Sequence, residues 1–298
     1  MGKTIYKKPM EVQSSLFGGF LYRSDEDILG AYMKKSGAYM KKYDLTQIEY
    51  REFPAISTSD IKQVLDNPYK FKIGMEVEET PAMKLGSLVH LLVLEPQKFN
   101  ETYAIAPSVD KRTKEGKAIW SEFAESNQDK IIIDSTMHET AQGMLESLKT
   151  SGVFDRYFTQ GEAETSYIGE ALGAEFKVRP DFFNLDKSLI VDLKCVSNAS
   201  AKGFQRLCAN LRYYIQAYLY MKITGAKQFV FVAIETKAPY TIGVYELDYI
   251  ALELAEAEVK KALQIISNLE NINNVYSDES LTPTILTLPN YVFYDSEA

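Results

Sequence analysis

Between Ala174 and Val196 charged residues alternate with bulky apolar ones, and this stretch restricts the possible folds more than any other in the chain. It reads Ala174-Glu-Phe-Lys-Val-Arg-Pro-Asp-Phe-Phe, a turn at Asn184-Leu-Asp-Lys, then Ser188-Leu-Ile-Val-Asp-Leu-Lys-Cys. Alternate residues of a strand project from the same face. Lys177, Arg179 and Asp181 therefore share one side of a first strand, 174–183, with Phe176, Val178, Pro180 and Phe182 on the other. On a second strand, 188–196, Asp192 and Lys194 project together between Val191, Leu193 and Cys195. A turn centred on Asp186 and Lys187 sets Asp181 opposite Asp192 and Arg179 opposite Lys194. That register predicts a single patch holding all five charges.

Such a patch is expensive as pure structure. A buried charge costs on the order of several kcal/mol unless it is paired or bound to metal, and adjacent carboxylates repel unless a cation or shared proton lies between them. A divalent ion answers both problems. The two aspartates, with the main-chain carbonyl of Leu193 between Asp192 and Lys194, form a hard oxygen ligand set suited to Mg²⁺, with Mn²⁺ as a substitute. A lysine beside them can hold the attacking water or balance charge developing on a phosphate. The competing structural reading is a salt-bridged hairpin face open to water, with Lys177 and Arg179 pairing the aspartates.

The rest of the chain supplies the layers around this hairpin. Ser57-Thr-Ser caps a short helix at about 59–66, ended by Asn67-Pro68. Met83 to Glu95 is apolar nearly all round and stops at Pro96, so it reads as a buried helix, with His90 inside it. A basic loop holding Lys111, Arg112, Lys114 and Lys117 runs into a helix with Trp120 and Phe123; it is either a solvated loop or a phosphate-contacting one. Further helices are expected at about 135–150, 201–223 and 247–270, and strands at 164–168, 228–235 and 240–246. On the 201–223 helix Arg212, Gln216 and Tyr220 follow at four-residue steps and so line one face, while Tyr213, Tyr214 and Tyr218 read as core. The organisation is an extension of unread role (1–53), a domain over 54–275 and a C-terminal segment (276–298).

With 298 residues, 46% of them hydrophobic, the chain can bury a sizeable core. A net charge of -8 argues against coating nucleic acid through overall charge, although a local basic groove can still neutralise phosphates. Only Cys195 and Cys208 are present, without the spacing of zinc or iron–sulfur sites, so both read as reduced core residues. There is no apolar run long enough to span a membrane, and no signal-peptide pattern. A cytoplasmic protein is the expectation.

Arg179-Pro-Asp181 followed by Ile190-Val-Asp192-Leu-Lys194 resembles the PD-(D/E)XK nuclease signature. The surrounding text is similar to the RecE-type exonucleases (exodeoxyribonuclease VIII) of phages and prophages. The likeness takes in Gly86 to Pro96, Lys111 to Phe123, Glu164, the Tyr213 to Tyr220 run and Glu235-Thr-Lys-Ala-Pro-Tyr240. It implies an α/β fold with a restriction-endonuclease-like core, a central mixed sheet flanked by helices. It also implies that His90 joins Asp181, Asp192 and the Leu193 carbonyl at the metal, with Glu164 near it. Gln216 and Tyr220 resemble a Gln-x-x-x-Tyr element whose glutamine steadies the water or the catalytic carboxylate. On this resemblance Asp181, Asp192, Lys194, Gln216 and Glu164 are catalytic. Lys177, Arg179, Arg212, Tyr220, Lys111, Arg112 and Lys114 meet DNA. The implied activity is Mg²⁺-dependent digestion of double-stranded DNA ends, 5′ to 3′, leaving single strands for an annealing protein. A ring-shaped homo-oligomer, a tetramer, working in a bacterial host cell, is implied too. The rivals are a restriction- or resolvase-type endonuclease of the same fold, and an inactive DNA-end-binding module.

Overall fold

Two adjacent strands in the middle of the molecule are apolar on both faces, and the architecture follows from the need to cover each face with helices. The computed structural model describes residues 32–35, 38–75 and 78–272 and the isolated positions 283, 285 and 287, with backbone alone for those before 41. The expected C-terminal segment therefore lies almost wholly outside the described residues.

The first described elements are β1 (Tyr32–Lys35), β2 (Ala38–Tyr43) and α1 (Gln47–Glu52). Next come α2 (Thr58–Asp66), α3 (Pro68–Lys72) and α4 (Pro81–Leu94). Ser57 and Asp60 form a reciprocal capping box at the start of α2, and Thr80 with Pro81 starts α4, so both helices begin where polar caps precede apolar runs. After α5 (Phe99–Thr102), a small parallel pair, β3 (Tyr103–Ile105) and β4 (Ile131–Ile133), brackets α6 (Lys114–Ser126). Then follow α7 (Ser135–Thr150), α8 (Val153–Tyr157), β5 (Glu162–Ala163), β6 (Ser166–Ala171), β7 (Ala174–Val178), β8 (Phe182–Asn184) and β9 (Leu189–Val196). The last are α9 (Ala201–Asn210), α10 (Tyr213–Thr224), β10 (Gln228–Glu235), β11 (Ile242–Tyr245) and α11 (Tyr249–Ser267).

The central sheet is mixed, in the order β11-β10-β9-β8-β5, with β9 and β10 parallel and the other neighbours antiparallel. Along β9 and β10, Val191, Leu193, Val230, Val232 and Ile234 pack against α4 and α7. Ile190, Phe229, Phe231 and Ala233 face the opposite core of α2, α9, α10 and α11. A strand buried on both faces is the pattern expected of a parallel pair between helical layers. A second, antiparallel sheet runs β1-β2-β6-β7. This is the α/β arrangement expected, with a central mixed sheet flanked by helices. Among the described residues no helix is long and apolar enough to cross a membrane.

Two expectations are corrected. The strand read as 174–183 is two strands: β7 pairs with β6 in the second sheet, and β8 pairs with β9 in the central one. Pro180 has no N–H to give a ladder, and the chain changes sheets there. The helix read as 201–223 breaks at Leu211 and Arg212, the latter in the left-handed region at φ 49°. Within the expected N-terminal extension, β2 pairs with β6 over Met40↔Gly169 to Tyr43↔Ser166.

Candidate active site

The β8–β9 ladder pairs Phe182 with Val191, a register that carries Asp181 toward Asp192 as the sequence predicted. Arg179 and Lys177 leave with β7, however, so the five charges do not form one patch. Lys177 is buried, its ammonium donating to the carbonyls of Arg51 and Phe53 at 2.9 and 2.7 Å. Arg179 donates through Nε to Glu164 Oε2 at 2.8 Å.

The aspartates have different surroundings. Asp181 Oδ2 accepts the Leu193 main-chain N–H at 2.7 Å and lies 3.5 Å from His90 Nδ1. Asp192 is fully buried; its Oδ1 accepts from the Gln216 side-chain amide, and its Oδ2 faces Lys194 Nζ at 2.5 Å. That last contact lies off the direction of a hydrogen bond, which leaves Asp192 Oδ2 a buried oxygen without a hydrogen-bond donor. Glu164 approaches from the link between β5 and β6, its N–H donating to the Asp181 carbonyl at 3.1 Å. One ligand atom each from His90, Glu164 and Asp181 lie within 4.8 Å of one another. Asp192 stands beside this trio, turned toward Gln216 and Lys194.

His90 fixes the character of the trio. Its Nε2 lies 2.8 Å from the Leu193 carbonyl. A carbonyl only accepts, so Nε2 carries the proton and Nδ1 of a neutral ring turns its lone pair toward Asp181. Burial, with the Lys194 charge, lowers the His90 pKa and keeps the ring neutral. A lone pair facing carboxylate oxygens repels them unless a cation or a proton sits between. The carboxylates report the same strain: burial and then Asp192 push Asp181 well above its ordinary range, and burial and then Asp181 push Glu164 up to about 7. One imidazole nitrogen and two carboxylates suit a small divalent cation, and the Leu193 carbonyl fixes the tautomer that points Nδ1 at it. The residues present therefore fit a metal ion.

Lys194 completes the charge pattern. Burial works against its ammonium, but Asp192 and Asp181 outweigh burial and hold it charged. Its Nζ also lies 4.9 Å from the centre of the Tyr213 ring, and Lys62 Nζ from α2 lies 5.2 Å from the same ring. Burial and then Lys194 bring Lys62 down to about 8. Neither Lys62 nor this role of Tyr213 was foreseen. The spacing of α2 marks Lys62 only as the polar face of an amphipathic helix, and Tyr213 reads as core.

Most of the other expected DNA contacts have partners of their own within the protein. Arg212 ion-pairs with Asp66 and, at 3.5 Å, with Glu258, so it does not share a face with Gln216. Tyr220 is buried, near Asp192 and Asp181 and against the Arg179 backbone. Lys111 lies over the Trp120 ring and Arg112 pairs with Asp110 at 3.0 Å, while Lys114 begins α6; among the described residues none of the three meets a carboxylate of the site. Cys195 and Cys208 are free thiols, and burial pushes Cys195 up to about 12.

A mixed sheet that brings Asp181, Asp192 and Lys194 together beside a histidine and a further carboxylate defines a PD-(D/E)XK-like nuclease fold. Residues 57–278 match the family described as PDDEXK-like domain of unknown function (DUF3799), and the chain belongs to that family. No curated protein matches the sequence. Among solved structures, a candidate exonuclease from Eubacterium rectale is 17% identical, with 85% of this chain and 98% of that one covered and a TM-score of 0.56, a likeness of fold. A phage-related exonuclease from Haemophilus somnus 129PT is 14% identical over 73% of this chain and 95% of that one, at a TM-score of 0.34. An alkaline exonuclease from Laribacter hongkongensis is 16% identical over 73% and 90%, at 0.27.

Proposed function

We propose that this protein is a metal-dependent deoxyribonuclease that hydrolyses phosphodiesters from the ends of double-stranded DNA. The observation that carries the reading is the convergence of the neutral His90 Nδ1 with Asp181 and Glu164, next to a Lys194 ammonium ion-paired with a buried Asp192. A bound Mg²⁺ or Mn²⁺ would lower the pKa of water and stabilise charge on the phosphate oxygens. His90, Asp181 and Glu164 would hold it, with Asp192 and the Leu193 carbonyl at its border.

The remaining work falls to the protein's own groups. Lys194, kept protonated by Asp192 and Asp181, donates to the phosphate or steadies the attacking water. Gln216 locks Asp192 so that its Oδ2 stays directed at Lys194. Lys62, beside Lys194 over the Tyr213 ring, adds positive charge where a phosphate would lie. End-directed attack in the 5′ to 3′ sense, a single-stranded product for an annealing partner and a homo-oligomeric ring, a closed tetramer, come from the sequence resemblance and extend this proposal. The Eubacterium rectale protein similar in fold is named as a candidate exonuclease, which supports the end-directed part of this reading alone.

The test is incubation of end-labelled linear, nicked and closed circular duplex with Mg²⁺ or Mn²⁺, using wild type and Asp192→Ala. Release of nucleotides from linear DNA alone, abolished in the variant, is the expected result, and the label lost first gives the polarity. Cutting of closed circles would make the enzyme an endonuclease. Retention of DNA ends without cutting, with either metal, would refute an enzyme altogether.

A further inference from the structure

The segment Lys41–Phe53 precedes the residues that match the family, yet it reaches the carboxylate cluster through a single intermediary. The Arg179 side chain is 10% exposed and donates to three oxygens: Glu164 Oε2 at 2.8 Å, Ser166 Oγ at 3.2 Å and the Leu45 carbonyl at 2.8 Å. Leu45 belongs to the strap between β2 and α1. The strap is pinned on both sides of that carbonyl. Before it, β2 pairs with β6, and Lys42 Nζ meets Glu162 Oε1 at 2.5 Å. After it, the Tyr50 hydroxyl donates to the Lys177 carbonyl at 3.2 Å, and Lys177 Nζ donates to the Arg51 and Phe53 carbonyls. The Tyr50 ring lies 5.8 Å from the Arg179 guanidinium carbon.

A guanidinium is a rigid planar fork, so acceptors on two of its nitrogens fix its plane. With Leu45 and Ser166 setting that plane, Nε holds one oxygen of Glu164, and the rotation of this carboxylate toward His90 and Asp181 is fixed. The Glu164 backbone, at φ 49°, has no regular ladder to orient it, which leaves Arg179 as the side-chain contact that does so.

We propose that the 41–53 strap completes the active site: through the Leu45 carbonyl it holds Arg179 as a positioning residue that aims Glu164 at the metal, in place of the DNA contact expected from the sequence. This rests on the reading of His90, Glu164 and Asp181 as a cation site. Removing a group that orients a metal ligand commonly weakens metal binding about 10–100-fold.

The test is Mn²⁺ titration of the full chain by calorimetry, without DNA, for wild type, Arg179→Gln, Glu164→Gln, the double variant and Tyr50→Ala, with thermal melts as a check on folding. Arg179→Gln is expected to weaken Mn²⁺ binding at least about tenfold. The double variant should bind no more weakly than Glu164→Gln alone, because Arg179 acts through Glu164. Measured separately in EDTA, the affinity of Arg179→Gln for duplex DNA and its salt dependence should stay at the wild-type value, and a loss there would return Arg179 to the DNA contact. Tyr50→Ala, which removes the hydroxyl bond to the Lys177 carbonyl and the ring beside the Arg179 guanidinium but keeps the Arg179, Glu164, His90 and Asp181 side chains, should weaken Mn²⁺ in the same direction and keeps the test decisive if Arg179→Gln does not fold. Unchanged Mn²⁺ affinity in both Arg179→Gln and Tyr50→Ala would overturn the positioning role while leaving the cation site standing. So would a further loss in the double variant. A wild type that takes up no Mn²⁺ would instead refute the cation site and this inference with it.

Discussion

Replacing Glu164 with glutamine should stabilise the metal-free protein at alkaline pH while destroying its response to metal. Burial and Asp181 raise the Glu164 pKa from 4.5 to about 7, and the side chain is 21% exposed. Below pH 4.5 the carboxyl is protonated folded or unfolded, and it contributes no difference. As pH rises from there toward 7 the unfolded chain releases its proton while the folded one keeps it, so stability falls; above 7 the full penalty, about 3 kcal/mol, is present. The Glu164→Gln variant would escape it. Glutamine still offers Arg179 an oxygen, and the charge assistance it forgoes is already contained in the Glu164 pKa of about 7. The net gain at pH 8 is therefore about 2–3 kcal/mol, or about 4–12 °C in Tm for a domain of this size. At pH 5 the folded carboxyl is protonated and the advantage of the variant shrinks to about 1 kcal/mol. The raised Asp181 makes stability fall with rising pH in the same way, and the lowered His90 acts in the opposite sense, losing stability as pH falls; both face the Glu164 charge, so the difference between wild type and variant reports Glu164 together with its coupling to them. The assay is thermal unfolding in EDTA at pH 5 and pH 8, repeated with Mn²⁺. Mn²⁺ at about 1,000 times its Kd should add about 4.1 kcal/mol to wild type and much less to the variant, reversing their order. A variant no more stable than wild type at pH 8 in EDTA would refute the reasoning that these carboxylates repel one another in a buried site.

Two further substitutions probe the groups around the cluster. Lys62 is lowered to about 8, so below that pH its charge is held at a cost to the fold; Lys62→Met should melt higher than wild type at pH 7 and lose that advantage toward pH 10, while cleaving DNA at least about tenfold more slowly, measured by melts and nucleotide release. Gln216→Leu leaves Asp192 Oδ1 without its donor and should cost about 1.5–3 kcal/mol in urea denaturation; in an Asp192→Asn background most of that cost should disappear, and an unchanged cost would mean Gln216 acts by packing alone.

Much of the fold was legible because burial leaves a periodic trace. The run from Gln228 to Glu235 and the alternation in Leu189 to Val196 mark strands, and the caps at Ser57 and Asp134 mark helix starts within a residue of where they fall. The break at Arg212 was not legible, since nothing in Leu211-Arg-Tyr forbids a helix; the turn follows the ion pairs that Arg212 makes with Asp66 and Glu258, far apart in sequence. At the site, the adjacency of Asp192 and Lys194 needed only parity within one strand. Lys62 and Tyr213 needed the packing of α2 against α10, which local spacing does not encode.

Parity also explains why the expected patch of five charges does not form, because it holds only while a strand is unbroken. Arg179 and Asp181 share parity, yet Pro180 lies between them and they serve different sheets: β7 belongs to the β1-β2-β6-β7 sheet and β8 to the central one. Glu164 marks a second crossing of the same kind, between β5 in the central sheet and β6 in the other. The two crossings are tied by the Glu164 N–H to the Asp181 carbonyl and by Arg179 to Glu164. Where chains leave one sheet for another, side chains are freed from alternation and can converge, and there a helix can bring in a residue such as His90. The carboxylates thus gather at the seam between the sheets for the same reason that the strand rule fails there. A proline inside a charged, otherwise strand-like run is the local sign of such a seam.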